Sequence, residues 1–316
     1  MATRDLLIEI GTEELPPKSL NSLSKAFEDL INDALASQNI AFKETQTFAT
    51  PRRLAVMIKQ VAERQSDVKW LRIGPAISAA YDGNGNATPA ALGFAKSCKV
   101  ELNELEKTTK NGVEKLSYEA LEEGKETRIL IPEIVRSVFK KLPTPKRMRW
   151  GSYREEFVRP LHWILLLFGK EQLKFKAFGV SSSNVTRGHR YHNNLEIQID
   201  EPSQYERVLS ELGHIVPNFE KRKDLIRAGV LEQGSLANAS AVIDEELLDE
   251  VTSLVEYPVA LTGEFDSEFL KVPSEAVILA MKTHQKCFHM NDAKGNLLPK
   301  FITVSNIRSK EPLQVI

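Results

Sequence analysis

The chain has 316 residues, 42% hydrophobic and 27% charged, enough for two ordinary domains or one large lobe with an insertion. Its 42 basic and 43 acidic residues leave a formal net charge of −1, which excludes a dominant positive field and requires any nucleic-acid contact to come from a local patch. Two cysteines, Cys98 and Cys287, exclude a disulfide scaffold and a four-cysteine zinc module and fit a reducing compartment.

Residues 5–10 alternate weakly and predict a first strand, broken by GTEELPP. Leu20, Leu23, Phe27, Leu30, Ile31, Ala34 and Leu35 then recur at three- and four-residue spacing, the apolar face of a long helix. Residues 41–50 and 53–61 read as strands around Thr50–Pro51. Residues 62–90 read as mixed and polar, ending in the turn-rich YDGNGNATP. Its GNG lacks the preceding strand and third glycine of a dinucleotide fingerprint. A short helix at 88–97 and a polar hairpin at 108–126 follow. Ile131, Val135, Val138 and Leu142 mark a second amphipathic helix, stopped by Pro143.

Residues 157–200 are strand-rich. LHWILLLFG at 161–169 reads as a buried strand or short core helix, well below the ~18–20 apolar residues of a membrane span. From 203 to 256 the pattern turns helical, with Gly213 as an expected C-cap and Asp244 as an expected N-cap. The rest reads helix, strand, turn, strand. This mixed order predicts an α+β fold, with one lobe over 1–145 and a second over 146–316. The N-terminus lacks the pattern of a secretory or transit peptide, so a cytoplasmic location is expected.

The clearest charge feature is the acid-free run from Ile134 to Arg154, with Arg136, Lys140, Lys141, Lys146, Arg147, Arg149 and Arg154. Trp150 and Tyr153 interleave it, as stacking residues do in RNA sites. The plainer reading is a solvated helix end, where cations complement the helix dipole. Arg52 and Arg53 follow a strand and could hold a phosphate bidentately. Arg187 and Arg190 lie in TRGHRYH with His189 and His192, and His284, Cys287 and His289 lie in THQKCFHM. On spacing alone these five make a weak candidate metal set; buried or interface histidines are the commoner case. Glu9, Glu13 and Glu14 read as acids ahead of a helix. No nucleophile elbow or phosphate-binding loop is present, and no catalytic residue is assigned.

LIEIGTEELPP, ATPRRLAV, PKRMRWG, FVRPLHWI, TRGHRYH, LLDEVTSLVEYPVAL and MKTHQKCFHM with LLPKFITVSN occur in this order. Together they closely resemble the beta subunit of bacterial heterotetrameric glycyl-tRNA synthetase. The resemblance implies an aminoacyl-tRNA synthetase that joins glycine to its tRNA, with ATP and Mg used at the alpha subunit and no cofactor bound by this chain. It implies the alpha subunit and glycine tRNA as partners, and neither DNA nor a membrane. The helical and anticodon-binding domains with which the family's subunits continue are expected to be absent from this chain. The fold is expected to resemble the editing-type domain pair of the phenylalanyl-tRNA synthetase beta subunit, which by itself does not establish editing. Within the resemblance, Arg52, Arg53, Lys146, Arg147, Arg149, Arg187 and Arg190 become candidates for tRNA-backbone or subunit contact; buried ion pairs are the alternative. FVRPLHWI and LLDEVTSLVEYPVAL are expected in the core.

Overall fold

The computed structural model describes residues 2–144 and 146–309. Strand β1 (Thr3–Thr12) has seven consecutive buried residues at its C-terminal end. Helix α1 (Pro17–Ser37) starts on Pro17, whose missing N–H costs nothing at that position. It buries Leu20, Leu23, Phe27, Ile31 and Leu35, the stripe expected from the spacing. Strands β2 (Glu44–Thr50) and β3 (Arg53–Ala62) form a hairpin about Pro51 and Arg52.

The chain divides into two compact units, one formed before Arg64 and after Thr127, the other by Arg64–Thr127. The smaller unit is a three-stranded sheet, β4 (Val68–Ala76), β6 and β5, with helices α2 (Ile77–Ala80) and α3 (Pro89–Cys98). Strands β5 (Glu106–Lys110) and β6 (Val113–Glu122) are the expected polar hairpin. β4 has no counterpart in the sequence reading. Val68, Trp70, Leu71 and Ile73 are all exposed on it, so no one-sided alternation marks it. The YDGNGN turn is present, with Asp82 accepting from the Asn84 and Asn86 N–H groups.

Helix α4 (Thr127–Lys141) returns to the larger unit and ends before Pro143. Strand β7 (Leu161–Phe168) pairs antiparallel with β1 from Leu6↔Phe168 to Gly11↔Trp163. The short strands β8 (Glu171–Gln172), β9 (Lys176–Ala177) and β10 (Val180–Ser183) complete a seven-stranded sheet. Its order is β2-β3-β1-β7-β10-β9, with β8 beside β7. The expected division at 145/146 thus falls between strands of one sheet; residue 145 itself lies outside the described residues.

Both sheet faces are covered, which is why β1 and β7 read as nearly continuous apolar runs. Leu6, Ile8, Ile10, Ile164 and Leu166 pack with α1 and α4 on one face. Leu7, Leu165 and Leu167 face the other way, with Ile197, Tyr205 and Leu209. These last residues come from β12 (Glu196–Gln198), which pairs with β11 (Val185–Arg187), and from helix α5 (Tyr205–Glu211). The cap of α5 is Leu212, and the left-handed residue is His214 (φ 52°) in place of the expected Gly213.

The rest of the larger unit has its own core. Helices α6 (Phe219–Leu236) and α7 (Glu245–Thr252) pack on a sheet of order β13-β15-β16-β14. Its strands are β13 (Ser240–Ala241), β14 (Val259–Glu264), β15 (Phe288–Asn291) and β16 (Leu297–Ser305). Asp244 caps α7 as expected, accepting from Leu247 N–H at 2.9 Å. Between β14 and β15 lies helix α8 (Ser274–Ala280), followed by a π turn at Met281–Gln285. No helix among the described residues is long and apolar enough to cross a membrane.

Candidate functional site

Most of the motif strings meet at one end of the seven-stranded sheet. Strand register places Gly11 of β1 between Arg53 of β3 and Trp163 of β7. A Cβ on Gly11 would lie 1.9 Å from Trp163 Cε2, so the indole occupies the space that any side chain there would need. The indole N–H donates to Glu9 Oε1 at 2.6 Å, and the Thr186 hydroxyl donates to the same oxygen at 2.7 Å. Glu9 is a fully buried strand residue, a correction to its reading as an acid ahead of a helix.

Arg53 is also buried, and this decides its role. Its guanidinium lies 3.5 Å from both Glu9 Oε1 and Glu256 Oε1. It donates to Thr50 Oγ1, Thr186 Oγ1 and the Arg187 carbonyl. Burial lowers its pKa, but Glu256 and Glu9 more than compensate, and the net shift is upward. No part of this group is presented to a partner: Arg53 is a buried ion-pair residue that joins the two strand ends to the segment containing Glu256.

Arg222 makes the second buried tie. It donates to the carbonyls of Ala49, Val216, Pro217 and Thr252. With no carboxylate within 4.0 Å among the described residues, it is pushed down by burial to a pKa of about 9. Sequence reading missed Glu9, Thr50, Thr186, Arg222 and Glu256 as members of a network. The available signal was charge at inward strand positions, Glu9 in LLIEIG and Arg53 in RLAV.

Outside this network Arg52, Arg187 and Arg190 are half exposed. Glu13 accepts from Arg190 at 3.0 Å and lies 2.9 Å from His162 Nε2. Desolvation raises its pKa, yet Arg190 and His162 together hold it below the usual value. Arg187 lies 3.5 Å from Glu196 and 5.6 Å from the Trp163 ring centroid. Arg52 is 5.9 Å from the same centroid. Burial and then Arg190 lower its pKa. His189, His192 and His214 cluster with Tyr257, the His189 and His192 rings 4.8 Å apart.

The other candidates sit elsewhere. A cavity of about 290 Å³ at the end of α4 is lined by Arg136, Lys140, Arg147, Arg149, Arg154, Glu155 and Glu156 over Phe139 and Phe178. Arg147 donates to the Lys140 and Leu142 carbonyls and so caps the helix. Arg149 pairs with Glu156 at 2.6 Å. Lys146 is exposed. Trp150 stacks on Phe178 at 5.7 Å and joins the core, so its ring faces protein on that side. His284 and Cys287 line an apolar cavity with Phe265, Phe269 and Phe301. His289 lies on β15. Among the described residues, no three His, Cys, Asp or Glu side chains are grouped to hold a metal.

The sequence profile of the family described as glycyl-tRNA synthetase beta subunit matches residues 6–316. The glycine–tRNA ligase beta subunit of Marinobacter nauticus is 47% identical, covering all of this chain and 46% of its own length. Those of Hahella chejuensis and Coxiella burnetii are 46% and 44% identical with the same coverage. The chain therefore spans about half the length of these curated relatives. A family match over nearly the whole chain, with relatives this similar, settles its membership: it belongs to the glycyl-tRNA synthetase beta subunit family.

Proposed function

We propose that this chain is the non-catalytic beta-subunit part of a cytoplasmic glycine–tRNA ligase, contributing tRNA binding and subunit assembly. Attachment of glycine, with ATP and Mg, is assigned to the alpha subunit, and no cofactor to this chain. The observation that carries the RNA role is the cavity at the end of α4. Five cationic side chains and two carboxylates line it, a local positive excess in a chain of net charge −1. Lys140 and Arg154 of its lining, and Lys146 next to Arg147 in the chain, are exposed and, among the described residues, have no ion-pair partner. They are better placed for phosphate contact than Arg147 and Arg149, whose guanidinia cap a helix and pair with Glu156.

Neutralising Lys140, Lys146 and Arg154 together is expected to weaken tRNA binding and flatten its salt dependence. The log–log slope should fall by ~0.7–0.9 for each phosphate that is no longer neutralised. Measuring affinity against salt, with thermal melting on the same variant, tests this. Unchanged affinity and slope with an unchanged melt would overturn the reading for this surface. Pyrophosphate exchange with glycine and ATP is expected to match a no-protein control; clear exchange would place the active site here.

A second reading, subunit docking without RNA contact, is favoured by one observation. Residues 267–280 bury no side chain, and Phe269 and Leu279 are 58% and 62% exposed. Apolar surface of this kind marks contact sites. Retention of alpha-subunit binding by a chain that shows no salt-dependent tRNA affinity would favour it.

A further inference from the structure

We infer that the β2–β3 turn, centred on Arg52, is a binding site for a phosphate-class oxyanion, and that its natural occupant is an RNA phosphodiester. The second half rests on the tRNA-binding reading above; the first does not.

The four arginines at this end of the sheet differ in one respect. Arg53 faces Glu9 and Glu256, Arg187 faces Glu196, and Arg190 faces Glu13 and Glu14. Of these four, only Arg52 has no carboxylate within 4.0 Å among the described residues; Arg159 and Arg222 nearby, which also have none, donate to backbone carbonyls instead. The Arg52 guanidinium makes no hydrogen bond among the described residues, and its Nε is buried without a partner. A buried charged donor is normally paired, because its desolvation is uncompensated otherwise. Backbone hydrogen bonds hold the turn that carries it: Thr12 N–H donates to the Arg52 carbonyl and Leu15 N–H to the Pro51 carbonyl. The backbone that carries the guanidinium is therefore tied to the end of β1 and the segment after it.

A second buried donor without a partner among the described residues lies two residues from Arg187. His189 is fully buried. Its Nδ1 accepts from the N–H groups of Tyr191 and His192. The neutral ring must therefore carry its hydrogen on Nε2, and Nε2 is buried with no acceptor. His189 lies two residues beyond Arg187, whose guanidinium shares the Trp163 ring with that of Arg52. All four buried side-chain atoms lacking a partner among the described residues, Glu9 Oε2, Arg52 Nε, His189 Nε2 and Tyr205 Oη, belong to this end of the sheet. Arg52 Nε and His189 Nε2 are both donors, and an oxyanion satisfies donors. A planar Arg fork suits phosphate oxygens. Trp163 is only 6% exposed, so the site offers no face on which a base could stack. Recognition at this point is of backbone, without sequence.

The test uses the 316-residue chain and two small probes, dimethyl phosphate for the diester and inorganic phosphate for the free ion. The Arg52 Nε–H resonance, assigned by its disappearance in Arg52→Gln, is expected to shift on titration with dimethyl phosphate. Arg52→Gln should weaken binding at least ~10-fold and Arg52→Lys less, since Lys keeps the charge but forgoes the fork. Unchanged melting temperatures in both variants show that the fold is intact; if Arg52→Gln fails to fold, Arg52→Lys and the wild-type resonance carry the test. An immobile resonance, or equal binding by Arg52→Lys and wild type, overturns the site. Titration of tRNA then separates the sources. Weaker tRNA binding in Arg52→Gln supports the diester. Oxyanion binding that depends on Arg52 while tRNA affinity does not overturns the RNA occupant and leaves a free-phosphate site. Failure of the tRNA reading itself appears separately, as absence of salt-dependent tRNA binding by the wild-type chain.

Discussion

Among single residues, charge inside the larger unit works as a set of ties. Glu9 and Arg53 are at most 1% exposed and share Thr186. Removing one member leaves the other charged and buried, which costs ~3–5 kcal/mol. Arg53→Ala is therefore expected to lower stability by that amount in urea titration; a decrease below ~1 kcal/mol would mean that water re-enters the site at little cost. Gly11→Ala should be as damaging by another route, since its methyl group must displace Trp163 from Glu9. The histidine cluster adds a pH dependence. Burial, then His189 and His214, lower the His192 pKa below its ordinary 6.5. The unfolded chain thus takes up this proton first as pH falls. Stability from this group is full above about 6.5 and declines as pH drops through the folded value. His289, lowered by burial, acts in the same direction. His192→Gln keeps an acceptor for the Arg308 N–H, and thermal melts from about pH 7.5 to about pH 5 should show a shallower acid decline than wild type. An identical decline would assign the effect to His289.

Among the elements, caps and periodic faces account for the helices. Asn218 caps α6 by accepting from Lys221 N–H at 3.0 Å, and Asp244 caps α7. Asn218→Ala should cost ~0.5–2 kcal/mol, read as a shifted denaturation midpoint with an unchanged slope. Asp244 also accepts from Lys282 at 2.8 Å. That bond, together with the cap, holds its carboxyl below the ordinary value. Its contribution is present above the unfolded pKa near 3.8 and is lost as pH falls through the lower folded value.

In the molecule as a whole, the smaller unit is an insertion between two parts of the larger one. The three large hydrophobic clusters contain no residue from 64–127. The insertion's own core cluster is Ala80, Ala91 and Leu116, with Ala95 also buried, and a bridge between Arg64 and Glu126 closes its ends. Replacing residues 65–126 with a short Gly-Ser linker should leave a larger unit that melts cooperatively. Loss of the cooperative transition would show that its stability depends on the insertion. The excised insertion should be marginal alone, because so small a core offsets little chain entropy.

The α+β class, helices α1 and α4, the β2–β3 hairpin, the Asp244 cap and the family are all legible in the bare sequence. Each is written in local periodicity, capping chemistry or a contiguous motif, which needs no knowledge of distant residues. The folded chain was needed to show that β7 joins β1 in one sheet, that the division of the chain lies at an insertion, and that β4 is a strand at all. It also separated seven basic candidates that look alike in sequence. Arg53 is buried between Glu9 and Glu256, which lie 44 residues before it and 203 after it; Arg147 caps a helix; Arg52, among the described residues, has no hydrogen-bond partner for its buried Nε. An arginine's role depends on which carboxylates and carbonyls surround its guanidinium, and those partners come from strands that meet only when the sheet closes.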